Sequence, residues 1–195
     1  MVRTSAAAGE RIRRIERVDV ATGSAEPVLD DEVGPFDIDP TGRWLALVRA
    51  NAQGMSLVVV DLASGDQRIL VPEREFEVIA APRFTRQSDA VIFSGAGTVS
   101  SGRVPESPWA GLWAVFAPIA QAHGLPQDVY SIPMEGGQPR RVAQVSADDP
   151  ALAPSPDGGH IALLSPEALA TVPVAGGVGS SVLVPGGYGS VDWAR

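Results

Sequence analysis

The 195-residue chain sets 15 Lys and Arg against 23 Asp and Glu, and its formal net charge of -8 and pI of about 4.7 argue against a nucleic-acid partner. It has no cysteine, which excludes disulfides, thiolate metal sites and a cysteine nucleophile. Its 21 glycines and 17 prolines exceed average usage, as expected where many short strands are joined by tight turns.

The first residues, Met1 to Glu10, contain no apolar core and are not a complete signal peptide, so 1–11 reads as a flexible leading segment. No stretch has the length and apolar continuity needed to span a bilayer. From residue 12 onward one pattern recurs. Residues 12–20 end in a strand-like alternation through Val18 and Val20, and Ala21-Thr22-Gly23-Ser24 turns the chain toward Pro27-Val28-Leu29. The same order returns as Leu57 to Leu62, Ala63-Ser64-Gly65-Asp66 and Arg68 to Val71. It returns again as Val129 to Gly137 followed by Arg141-Val142, and as Ala170 to Gly177 followed by Ser181-Val182-Leu183. The glycines suit hairpin turns because they reach positive φ without a Cβ penalty.

Between these hairpins the sequence predicts first strands around 35–38, 81–84, 151–154 and 190–193, and second strands at 44–49, 90–94 and 160–164. Each pair is joined by a polar turn: Asp39-Pro40-Thr41-Gly42, Thr85 to Asp89, and Ser155-Pro156-Asp157-Gly158. Four short antiparallel strands per unit, repeating roughly every 40 residues, are the signature of propeller blades. The expected fold class is all-β: a partial or four-bladed β-propeller of four-stranded antiparallel blades over 12–195. One unit carries an insertion, 95–127, with a short helix. Ser107 fits an N-cap and Pro108 the first helical position, Pro118 kinks or stops the helix, and Gly124 ends it. Trp109, Trp113 and Phe116 on that insertion form a candidate partner-docking surface.

Ser155-Pro156-Asp157-Gly158 resembles the turn of the TolB-type WD40-like (PD40) β-propeller repeat family, with Pro154 where an aromatic residue usually stands. Asp39-Pro40-Thr41-Gly42 is a close variant. Thr85 to Asp89 is degenerate but follows an aromatic residue, Phe84, and Trp193-Ala194 is similar to the first two positions of a further copy. The resemblance implies protein binding in a secreted or periplasmic setting, or the noncatalytic half of a peptidase. Three whole units, a leading hairpin and a trailing first strand leave three arrangements open: a fragment of a larger propeller, four blades closed by the trailing strand, or two copies assembling one ring.

Ile38, Trp44, Val60, Phe84, Ile92, Tyr130 and Ile161 are expected in the core between blades. Asp39, Asp89 and Asp157 are expected to fix turns by accepting backbone N–H bonds rather than to do acid–base chemistry. Binding candidates lie where a fourth strand crosses to the next first strand. These are Asp30, Asp31 and Glu32; Glu73, Glu75, Phe76 and Glu77; Asp148 and Asp149; and Tyr188. Brought to one face, they would present a negative field to a basic protein or peptide, with Phe76 and Tyr188 adding apolar area. Asp37, Arg83 and Asp192 on the first strands are expected to point toward the channel.

No acidic loop resembles a dedicated calcium site, and His123 and His160 lack the companions of a zinc site, so no metal or cofactor is expected. The glycine-rich Gly176 to Ser180 sits in a blade hairpin with no following lysine, and no Gly-X-Ser-X-Gly elbow occurs, so the chain is read as non-enzymatic. The expected function is a binding scaffold that recognises a protein or peptide through an acidic propeller face. The alternative is a noncatalytic accessory or structural fragment of a larger propeller-containing protein, such as a hydrolase. Self-association is a further expected property.

Overall fold

A computed structural model describes residues 2–5, 13–31, 33–98, 125–175 and 181–193. Four antiparallel sheets follow one another along the chain. Blade 1 holds β1 (Val2–Ser5), β2 (Arg13–Val18) and β3 (Ala25–Asp31). Blade 2 holds β4 (Val33–Ile38), β5 (Trp44–Asn51), β6 (Gly54–Asp61) and β7 (Gln67–Val71). Blade 3 holds β8 (Phe76–Phe84), β9 (Ala90–Thr98), β10 (Gln127–Pro133) and β11 (Arg140–Ala147). Blade 4 holds β12 (Ala151–Pro154), β13 (His160–Leu164), β14 (Ala168–Pro173) and β15 (Ser181–Pro185). Strands pair in sequence order within every blade, the arrangement of propeller blades.

Continuous apolar runs such as Leu45 to Val48 and Leu57 to Val60 arise because a middle blade is covered on both faces. One face of blade 2 sends Leu45, Leu47, Val58 and Val60 into a core with Ile15 of blade 1. The other face sends Ala46, Val48, Leu57 and Val59 into a core with Phe76, Phe93 and Ile132 of blade 3. Blades 3 and 4 meet through Ile92, Val129, Leu152, Ile161, Leu163 and Val172. Each large side chain withdrawn this way contributes about 1.5–3 kcal/mol.

The three polar turns use one device. Asp39 Oδ1 accepts the Trp44 N–H at 2.7 Å, Thr85 Oγ1 accepts the Ala90 N–H at 3.2 Å, and Ser155 Oγ accepts the His160 N–H at 2.9 Å. A side-chain oxygen one residue past each first strand therefore caps the start of the second, whichever residue supplies it. Asp39 and Asp157 accept backbone N–H bonds as expected, Asp157 Oδ1 from Gly159, whereas Asp89 accepts the Thr85 hydroxyl instead.

Several boundaries differ from the sequence reading. Within 1–11, expected to be flexible, Val2–Ser5 pairs with Arg14 to Arg17 of β2. The insertion begins later than residue 95, because Phe76–Ala80 lengthens β8 and pairs with β9 as far as Thr98. Gly95 permits this: a Cβ there would lie 2.9 Å from the Phe76 ring. The buried Ser94 hydroxyl bonds Gln127 Oε1 at 2.7 Å where the chain re-enters the sheet at the start of β10. The helix expected there, with Trp109, Trp113 and Phe116, falls outside the described residues, among which there is no helix. Residues 190–193 form no strand. Instead the Trp193 indole N–H donates to the Ala153 carbonyl on β12 at 2.7 Å.

Phe76, Phe93 and Tyr130 interlock, with Phe76 edge-on to both partners at centroid distances of 5.4 and 4.8 Å. Phe93→Ala is expected to lower unfolding free energy by about 3–5 kcal/mol in urea denaturation, the range for deleting a buried aromatic. A loss under about 1 kcal/mol would show that blades 2 and 3 do not depend on this cluster.

Candidate functional site

The first strands of blades 2, 3 and 4 are joined by polar groups. Phe36 and Ile38 on β4 pack toward blade 1, and strand alternation turns Asp37 between them toward blade 3. Its Oδ2 accepts the Phe84 N–H of β8 at 2.9 Å, and its Oδ1 lies 3.8 Å from the Arg83 guanidinium. Arg83 Nε in turn donates to the Leu152 carbonyl of β12 at 2.8 Å. Asp37 and Arg83, expected from the sequence to point toward the channel, are thus brought together and engaged in holding three blades. Burial pushes the Asp37 carboxyl up from its usual value, against the pull of the Phe84 N–H and Arg83. Asp192 is exposed and caps the Trp193 N–H with its own carboxylate.

A second link runs between blades on the side of the polar turns. Asp39 is buried, and its Oδ2 accepts the Ser88 hydroxyl of the next blade at 2.9 Å. Burial alone would raise its pKa, but bonds from Thr41, Trp44 N–H and Ser88 outweigh that and hold its carboxyl below the usual range.

The acidic candidates separate into distinct places. Glu32 lies outside the described residues. Asp30 and Asp31 end β3, opposite Arg14 and Arg13 in the ladder. Glu73 accepts the Asn51 side-chain amide at 3.2 Å, Glu75 is partly buried with its pKa raised by desolvation, and Glu77 is exposed on β8. Phe76 offers no surface to a partner, because it is 3% exposed within the aromatic cluster. The sequence spaced it among charges, and only its pairing opposite Thr98 shows that β8 starts there.

Asp148, Asp149 and Tyr188 do come together. Tyr188 is 69% exposed, and its hydroxyl donates to Asp148 Oδ2 at 3.5 Å. Desolvation, then the negative charges of Asp148, Glu167 and Asp149, push its hydroxyl pKa up. Glu167 on the β13–β14 turn was missed by sequence reasoning. Its signal was topological: that turn lies at the same end of the sheet as the crossing loops, and Ser165 anchors the crossing by accepting the Gly187 N–H at 2.9 Å. The result is an exposed aromatic ring bonded to one carboxylate, Asp148, and lying in the negative field of Glu167 and Asp149. Among the described residues no group of three or more His, Asp or Glu is arranged to hold a metal ion.

Solved structures resemble this blade arrangement. A putative TolB from Agrobacterium tumefaciens aligns with a TM-score of 0.51 and 14% identity, over 72% of this chain and 43% of that one. The fold is of the β-propeller type. The propeller domain of the trilobed protease from Pyrococcus furiosus matches at TM-score 0.55 and 11% identity, over 95% of this chain and 53% of that one. An acylaminoacyl peptidase from Pyrococcus horikoshii matches at 0.57 and 14%, over 95% and 30%. The chain therefore spans about half or less of these three proteins. No family model matches it, and neither does any curated protein.

Asp37 and Asp39 titrate with opposite sign. Asp37 has a raised folded pKa, so its contribution to stability is present below pH 3.8 and is lost as pH rises through the raised value. Asp39 has a lowered one, so its contribution is present above pH 3.8 and is lost as pH falls through the lowered value. Urea midpoints followed against pH should show Asp37→Asn removing a fall in stability just above pH 3.8 and Asp39→Asn removing a loss below it. Parallel profiles for the two variants would contradict these assignments.

Proposed function

We propose that the chain is a noncatalytic propeller scaffold, an accessory part of a larger propeller-containing assembly, and that it acts by binding. The observation carrying this reading is the shared blade arrangement with both a TolB-type protein and propeller-bearing peptidases. Consistent with it, the described polar groups of the inner strands hold blades to one another rather than surround a reaction centre. The setting we propose is extracytoplasmic, as the resemblance to TolB-type blades implies.

The finer proposal is that a basic protein or peptide segment binds at the crossing-loop end of blade 4. The exposed Tyr188 ring offers a flat surface to an aliphatic stem or a cation, while Asp148, Asp149 and Glu167 supply the opposing charge. Tyr188 here takes the contact role that the buried Phe76 does not.

Fluorescence anisotropy with labelled Lys- and Arg-rich decapeptides tests this. Combining Asp148→Lys with Glu167→Lys should weaken binding by about tenfold or more, since both charge contacts become repulsive. Tyr188→Ala should weaken it less, and added salt should weaken it in the unmodified protein. Equal affinity in the double-lysine variant would remove this end from consideration.

A further inference from the structure

On the polar-turn side, neighbouring blades are clamped by one repeated device that a single junction lacks. Leu62, Met134 and Val174 share a repeat position: each donates its N–H to the carbonyl of the residue preceding its blade's second strand. In two of the three, the carbonyl of that same residue receives an arginine from the preceding blade. Arg68 of β7 donates to the Met134 carbonyl at 2.7 Å, and Arg140 of β11 donates to the Val174 carbonyl at 3.0 Å.

Strand pairing shows which residue of blade 1 faces Leu62. The β2–β3 turn has the same backbone bond as the β6–β7 turn, Gly23 N–H to Asp19 in place of Gly65 N–H to Asp61. Blade 1 therefore has Arg17 opposite Glu26 where blade 2 has Val59 opposite Arg68. A carboxylate cannot donate to a carbonyl, and no described side chain bonds the Leu62 carbonyl in its stead. Glu26 is met instead by Arg17 at 2.7 Å, in a pair whose side chains are 60% and 68% exposed.

The exchange leaves the junction open. Val59 is buried, whereas Arg17 is exposed, and a crevice of about 160 Å³ separates blades 1 and 2 there. Arg17, Glu26 and Leu62 line it together with the apolar Pro27, Val28 and Val60. That volume suits one side chain rather than a small-molecule ligand, whose pockets run to about 300 Å³ or more. Asp61, also in its wall, is already held by Arg43 at 2.8 Å.

We propose that this crevice takes the guanidinium of an arginine from a partner protein, which provides the donor that blades 2 and 3 carry themselves. The guanidinium donates to the Leu62 carbonyl and pairs with Glu26, drawing it from Arg17, while its aliphatic stem lies along Pro27 and Val28. An exposed pair such as Arg17–Glu26 is held weakly and yields to this exchange. Arginine is favoured over lysine because its planar fork reaches a carbonyl and a carboxylate at once, and the fold already uses a guanidinium at this place twice. The site rests on the reading of the chain as a binding scaffold, but it lies at the other end of the blades from Tyr188 and shares no residue with that end.

Nuclear magnetic resonance of the full chain, titrated with N-acetyl-arginine N-methylamide and with its lysine counterpart, tests the proposal. The arginine compound should give saturable shifts at the Glu26, Leu62 and Gly65 amides, and the lysine compound should bind several-fold more weakly. Glu26→Gln should weaken binding by about tenfold, since the charge-assisted bond is lost. Arg17→Ser should strengthen it by up to about fivefold, because the competing donor is gone. Combining Arg17→Ser with Glu26→Arg reproduces the Ser131–Arg140 pair of blade 3 and should abolish the shifts. Both positions are exposed, so the double variant should keep the circular dichroism spectrum of the parent. No shifts at these amides, equal affinity for the lysine compound, or undiminished binding by Glu26→Gln or the double variant would each overturn the proposal. Asp148→Lys with Glu167→Lys should leave the shifts in place, so each of the two sites stands or fails without the other.

Discussion

Covering both faces of a β-sheet is the constraint on which the rest of this molecule depends. A sheet of four short strands has two sides, and in blades 2 and 3 both are apolar, so neither blade is stable with water on one side. Successive blades answer this by stacking face to face, which turns a series of local hairpins into one structure. Among the described residues, blades 1 and 4 are each covered by a neighbouring blade on one side.

Polar groups fix the register of that stack rather than drive it. The bonds from Asp37 to Phe84 and from Arg83 to Leu152 tie three first strands together. The Asp39–Ser88 bond ties two polar turns, and Arg68 and Arg140 clamp the outer hairpins. Such bonds contribute about 0.5–1.5 kcal/mol each, or more where a charge is involved, against several buried apolar side chains per interface. Their value is positional: each is satisfied only when neighbouring blades are in one alignment.

The blades were legible in the sequence because their turns repeat a chemical need. Asp39, Thr85 and Ser155 are different residues, but each puts an acceptor where the next strand's N–H must be capped. The site was less legible. Whether a charged residue is free depends on contacts between blades, and Asp37 and Arg83 meet 46 positions apart in the chain only because β4 lies beside β8. Phe76 looked like a loop aromatic because the sequence does not show that Gly95 leaves room for its ring. Tyr188 and Asp148 were read from the crossing loops, whereas Glu167 joins them from a hairpin turn.

The functional reading follows from where polar groups are already engaged and where they are not. The inner-strand charges of Asp37 and Arg83 hold blades together, while Tyr188, Asp149 and Glu167 are exposed at the crossing-loop end with Asp148 half-buried beside the ring. All of this rests on two-sided burial as the source of order. Amide hydrogen exchange of the chain tests that claim most directly. The account predicts slowest exchange in β5, β6, β9 and β10, with β2 and β14 exchanging faster. Equal protection in all four blades, or greatest protection in blade 1 or blade 4, would contradict it.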